Sequence, residues 1–113
     1  MIKLNNKFSD SVATTPAPGG SNTSGEIQHL NYNINENLDW PISSDCDSVR
    51  VWSTQFSTEE RYDYLTINSQ DYSGETTIDT IVPYRSFTIR WHSDGSQTKT
   101  GFILNWACST ISD

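Results

Sequence analysis

Phe87-Thr88-Ile89-Arg90-Trp91-His92 carries a large apolar side chain at every second position and a polar one between. Successive side chains of an extended chain point to opposite faces, so this segment has one apolar and one wet face, the pattern of a half-buried β-strand. The same period recurs outward in both directions. Toward the N-terminus, Leu65 and Ile67 alternate with Tyr64 and Thr66, Val49 and Val51 alternate with Arg50 and Trp52 on a strand ending near Phe56, and Trp40 alternates into Ile42. Toward the C-terminus, Phe102, Leu104 and Trp106 repeat it. Ser43-Ser44-Asp45, Ser69-Gln70-Asp71, Ser73-Gly74-Glu75 and Ser93-Asp94-Gly95-Ser96 separate the runs, and all are turn chemistry. Short strands punctuated in this way predict an all-β fold, a two-sheet antiparallel β-sandwich. Trp40, Ile42, Val51, Leu65, Ile67, Phe87, Ile89, Trp91, Phe102, Leu104 and Trp106 are expected between its sheets.

Hydrophobic residues make up 34% of the 113, and four Trp and five Tyr supply much of the large apolar surface, a mix that packs well on pleated sheets. The stretch around Ala13-Thr14-Thr15-Pro16-Ala17-Pro18-Gly19-Gly20-Ser21 has too little apolar surface to offset the entropy of ordering it. The chain therefore divides into an N-terminal arm, residues 1–25, flexible or docked on a partner, and a sandwich domain, residues 26–113. Ile2, Leu4 and Phe8 are the arm side chains suited to anchoring on a neighbouring subunit. Asn22-Thr23-Ser24 is a glycosylation sequon, which carries weight only in a eukaryotic secreted protein.

A formal net charge of −7, with scattered Lys and Arg, argues against nucleic acid as a partner, because phosphate binding needs clustered basic residues. Such a charge attracts cations or basic protein patches, or simply keeps a small domain soluble. The sequence holds no apolar run of about 18 residues, so no membrane insertion is expected. Met1-Ile2-Lys3-Leu4-Asn5-Asn6-Lys7 lacks the apolar core of a secretory signal, and no signal peptide is read in the chain. Cys46 and Cys108 stand far apart with no CxxC or histidine cluster nearby, which fits a single disulfide better than a metal site. The alternative is two buried thiols in a reducing compartment.

Three stretches in fixed order resemble a CUB domain. They are Trp40-Pro41-Ile42 followed by Val49-Arg50-Val51; Phe56-Ser57-Thr58-Glu59-Glu60-Arg61-Tyr62-Asp63-Tyr64-Leu65-Thr66-Ile67; and Phe87 to Trp91 running into Ser93-Asp94-Gly95-Ser96 and Gly101-Phe102. The resemblance implies a jelly-roll type sandwich, extracellular use, and non-catalytic recognition or adhesion toward a protein or glycan. It also implies a calcium site of Glu59, Asp63 and Asp94, with Ser96 or a neighbouring carbonyl as a further ligand, and Ca2+ as the cofactor. Three carboxylates from two loops suit an ion that takes six to eight hard oxygens. The other view of these acids is as solvated turn residues at two hairpin ends. The chain departs from the family pattern in places. The family's early cysteine is Leu38, the loop from Glu59 to Asp63 is short and lacks cysteine, and a pairing of Cys46 with Cys108 would be a different bridge. A short loop that carried Glu59 out of reach would leave Glu60 as its substitute, and Tyr32 is the candidate for the family's N-terminal Tyr.

Catalysis finds little support. His29 and His92 are the only imidazoles, and no Gly-x-Ser-x-Gly, His-Glu-x-x-His or phosphate loop occurs. Trp52, Tyr62, Tyr64, Tyr72 and Tyr84 are expected outside the core, where amphipathic aromatics favour binding surfaces or cross-strand pairs. The expected function is a non-catalytic binding module outside the cell. The alternative is a structural subunit of a larger assembly, such as a virion decoration or fibre protein, docked through its arm and exposed on a particle surface.

Overall fold

The computed structural model describes residues 22–109, which form eight strands in two four-stranded sheets. They are β1 (Ser24–Leu30), β2 (Asn37–Ser43), β3 (Val49–Ser57), β4 (Tyr64–Ile67), β5 (Gln70–Tyr72), β6 (Asp79–Val82), β7 (Ser86–His92) and β8 (Gly101–Cys108). One sheet runs β1-β8-β3-β6 and the other β2-β7-β4-β5, with every pairing antiparallel. The expected sandwich is the observed one. β1 begins at Ser24, inside the segment expected to be arm, because Ser24 and Gly25 pair with Ala107 and Trp106. The arm anchors Ile2, Leu4 and Phe8 lie outside the described residues.

Alternation places the core. Val49, Val51, Leu65, Ile67, Ile89, Trp91, Phe102 and Leu104 are almost wholly buried between the sheets, and Ile42 and Trp106 nearly so. Trp40 and Phe87, expected in the interior, are half-buried and pack against its edge. Both belong to the β2–β7 pair, where β2 is an edge strand and leaves its neighbours open to solvent. Pro41 sits on that edge, where its missing N–H disrupts no central ladder.

Ile27, Tyr32, Cys46, Phe56, Ile78 and Val82 complete the core. Phe56 joins it through a register shift between Ser53 and Gln55, which changes the parity of β3 so that an even-numbered residue follows Val49 and Val51 inward. Its ring stacks on Phe102 at 5.7 Å. Asn68 and Ser69 both have positive φ, forming the two-residue turn that joins β4 to β5. Cys46 and Cys108 form a disulfide with Cα atoms 5.6 Å apart, tying the β2–β3 loop to the end of β8.

The strand directions give the sandwich two distinct ends. Leu30, Ser57 and Gly101 lie at one end, where the loops of residues 31–36, 58–63 and 93–100 gather. Gly101 adopts φ +97° there, and a Cβ would collide with the His29 carbonyl, so only glycine fits. Asn22, the disulfide and Ser109 lie at the opposite end, where Asn22 N–H donates to Asp45 Oδ2 at 2.6 Å and Cys108 N–H to Thr23 O at 3.0 Å.

Candidate functional site

The first end owes its shape to short-range backbone and side-chain bonds. In the β3–β4 turn the Asp63 N–H reaches Glu59 O at 3.0 Å, while Thr58 Oγ donates to Asp63 O at 2.8 Å and accepts from Gly74 N–H at 2.9 Å. Arg61 takes φ +77° at the tip, and its N–H donates to Ser73 Oγ at 2.9 Å. This turn holds Asp63 fully buried and Glu59 half-buried.

The β7–β8 loop brings Asp94 alongside. Its N–H donates to Asp63 Oδ1 at 2.9 Å, and its carbonyl accepts from Asn35 N–H at 2.8 Å. Ser93 is fastened from the other side, its N–H on Glu36 O at 3.0 Å and its Oγ on Asn33 O at 2.7 Å. Three loops are thereby fixed to one another through backbone donors and the Ser93 hydroxyl. Glu59, Asp63 and Asp94 converge so that one carboxylate oxygen of each lies within 4.8 Å of the others.

Tyr32 closes the floor of the cluster. It is buried, its hydroxyl donates to Asp63 Oδ2 at 2.6 Å, and it accepts from Glu59 N–H at 3.2 Å. Burial first, and the bond to Asp63 second, hold this phenol well above its ordinary range. Asp63 thus spends both carboxylate oxygens on neutral donors. Glu59 is treated differently. Its Oε1 is sealed from solvent and has no hydrogen-bond partner among the described residues. Desolvation, and then the charges of Asp94 and Asp63, push its carboxyl above the usual carboxylate range, against a smaller opposing pull from Lys99. A buried acceptor without a donor, beside two further acids, is costly unless something positive completes it.

The other expected ligands take secondary places. Ser96 is exposed, and its N–H donates to Asp94 Oδ1 at 3.2 Å, orienting that carboxylate. Glu60 is exposed and lies against Gly74, so Glu59 occupies the cluster and the substitute is not used.

The five expected surface aromatics do not form one patch. Tyr62 is 57% exposed in the loop beside the acidic cluster, and Tyr84 is 56% exposed in the β6–β7 loop at the opposite end. Trp52 lies on the outer side of β3 beneath Arg50, whose guanidinium carbon is 4.5 Å from its ring. Tyr64 stands on the outer side of the other sheet against His92, ring centroids 5.1 Å apart. Tyr72 is not a surface residue. It pairs with Leu65, shares that residue's inward face, and packs half-buried on the core.

Sequence alone gave no sign of a second polar group, at the mouth of the sandwich. His29 faces inward from β1 with its ring near Trp40, Trp91 and Phe102. His29 Nε2 lies 2.6 Å from Glu36 Oε1, which also accepts from Trp91 Nε1–H at 2.9 Å. A polar residue at an inward strand position is legible only once its register is known.

No protein-family model matches the chain, nor does any curated protein sequence. Solved structures do. The CUB1-EGF-CUB2 domain of human MASP-1/3 matches with a TM-score of 0.67 at 19% identity, over 79% of this chain and 42% of that one. The CUB1-EGF-CUB2 domains of rat MASP-1 match with a TM-score of 0.63 at 17% identity, over 80% of this chain and 41% of that one. The chain spans about two fifths of the length of these structures. The fold is CUB-like, as the sequence blocks implied.

Proposed function

We propose that the chain is a non-catalytic recognition module that works outside the cell and holds Ca2+ among Glu59, Asp63 and Asp94 to present its acidic end to a protein partner. The observation that carries this reading is the sealed, unpartnered Oε1 of Glu59 on a residue whose carboxylate clusters with two more. Hard oxygens from two loops are what calcium takes, and the bound ion would supply the positive charge that the three acids lack. The residues themselves fix the loops: Tyr32 orients Asp63, Ser96 orients Asp94, and the Asp94 N–H locks one loop to the other. Exposed Tyr62 beside the cluster offers a partner an aromatic contact next to negative charge, which suits a basic side chain. The disulfide supports an oxidising setting, and no helix among the described residues is long and apolar enough to cross a membrane.

The test is calorimetric titration of calcium into chelator-treated protein, together with melting in both conditions. One saturable site and a higher melting temperature in calcium are expected, both lost in Asp94→Ala. Identical melting in chelator and in millimolar calcium would overturn the calcium reading.

The assembly reading keeps one observation in its favour. Asn22 and Ser109 leave from the end opposite the acidic cluster, so attachment there would leave the acidic loops free. Deleting residues 1–21 should then abolish incorporation into the assembly while the sandwich still folds. A truncated chain with unchanged oligomeric state and ligand binding would sink it.

A further inference from the structure

The outer face of the β2-β7-β4-β5 sheet carries a shallow groove lined by Asn37, Asp39, Tyr64, Thr66, Arg90 and His92. Strand register arranges these six as two rungs across three strands, Asn37 with His92 and Tyr64, and Asp39 with Arg90 and Thr66. Residues two apart on a strand share a face, and the rungs are roughly 7 Å apart.

The first rung is built. Asn37 Oδ1 lies 2.9 Å from His92 Nδ1, and the His92 ring leans on Tyr64 at 36°. Together they fix an aromatic wall with a polar corner. In the second rung Thr66 Oγ donates to Asp71, 2.6 Å away. Asp39 and Arg90 stand directly opposite one another in the ladder, yet neither side chain has a hydrogen-bond or ion-pair partner among the described residues. Elsewhere on the surface Arg50 pairs with Asp79 at 2.9 Å and Arg85 with Asp47 at 2.7 Å, so this chain does close ion pairs where an Asp and an Arg meet. At the groove the donor fork and the carboxylate stand on opposed positions without closing a pair, one rung along from Tyr64 and His92.

We infer that this groove is a saccharide site, in which a neutral pyranose lies along Tyr64 with a pair of adjacent hydroxyls shared between Asp39 and Arg90. An anion would gain from Arg90 and lose to Asp39, and a cation the reverse. A sugar hydroxyl both donates and accepts, so vicinal hydroxyls satisfy both groups at once. The C–H face of the ring supplies the apolar surface that Tyr64 matches, and Asn37 and Thr66 add polar contacts at the edges. The site uses none of the proposed calcium ligands and stands independently of that reading.

The test titrates the full chain, 15N-labelled, with methyl galactoside, methyl mannoside, methyl glucoside and N-acetylglucosamine to ~10 mM, which detects millimolar binding. At least one should give saturable shifts centred on Asp39, Thr66 and Arg90. Arg90→Ala and Asp39→Ala, both at exposed positions, should keep the wild-type melting temperature and weaken binding about tenfold or more, the loss of one charged hydrogen bond. Arg85→Ala, at the far end, should bind as wild type. The inference is overturned if none of the four sugars produces saturable shifts, if the shifts map elsewhere, or if the Arg90 and Asp39 variants bind as well as wild type. It is equally overturned if a flexible Lys/Glu peptide, the other ligand able to answer both charges, fills the groove while the sugars do not.

Discussion

The Tyr32 hydroxyl bonds Asp63 Oδ2 at 2.6 Å and simultaneously accepts the Glu59 N–H at 3.2 Å, so one buried phenol positions two of the three clustered acids. Tyr32→Phe keeps the ring, which meets Trp91 at 4.7 Å, and removes only the oxygen. It should cost about 1–3 kcal/mol, because a buried carboxylate oxygen loses its donor. Urea unfolding measures this cost. The same variant should bind calcium more weakly, read by calorimetry.

Glu59→Gln should separate stability from binding. A carboxyl whose ionised form is disfavoured by burial and by neighbouring acids has a raised folded value. In cation-free protein its contribution is therefore fully present below the unfolded value and lost as pH rises through the folded one. The amide removes that loss. In chelator at neutral pH the variant should melt above wild type, and added calcium should leave it unchanged.

Glu36 has the opposite sign. Desolvation raises its carboxyl, but the bond and charge of His29, aided by Trp91, prevail and hold it below the usual range. A depressed carboxylate stabilises above its unfolded value, and that stability is lost as pH falls through the folded one. Unfolding followed from about pH 7 to about pH 3 should show this loss, and Glu36→Gln should flatten it. At neutral pH the variant should be less stable by about 1–3 kcal/mol.

Reducing the disulfide, or Cys46→Ala with Cys108→Ala, frees a loop with a sequence separation of 62. The chain-entropy model gives a loss of about 4 kcal/mol. Denaturant melts with and without reductant should differ by that amount, and the unfolded, unreduced chain should contain no free thiol from this pair.

Much of this fold was legible because its central strands are half-buried and long enough to show a period. Ile89 and Trp91, or Leu65 and Ile67, declare their face by alternation alone. Sequence alone puts Tyr72 at the surface and assigns Phe56 and His29 to neither face, each for a physical reason. Tyr72 lies on a three-residue strand, too short for any period, so only its pairing with Leu65 shows that it faces inward. Phe56 lies beyond a bulge that reverses parity, and a bulge leaves no mark in an apolar–polar pattern. His29 looks like a surface residue until its ring is found among Trp40, Trp91 and Phe102. The acidic cluster came from the family resemblance. Asp63 and Asp94 are 31 positions apart, and only topology brings the β3–β4 and β7–β8 loops together.

The separation of the two ends has a mechanical consequence. A partner held at the acidic loops and an attachment near Asn22 would pull along the strands, because β1 and β8 run from one end to the other. Ladder hydrogen bonds lie perpendicular to the strands, so such a force shears the β1–β8 rungs together instead of unzipping them one by one. The Cys46–Cys108 bridge sits at the same end and clamps β8, the partner strand of that ladder, to the β2–β3 loop. Tension on β1 would therefore be borne by the ladder as a unit, against a β8 that is covalently held.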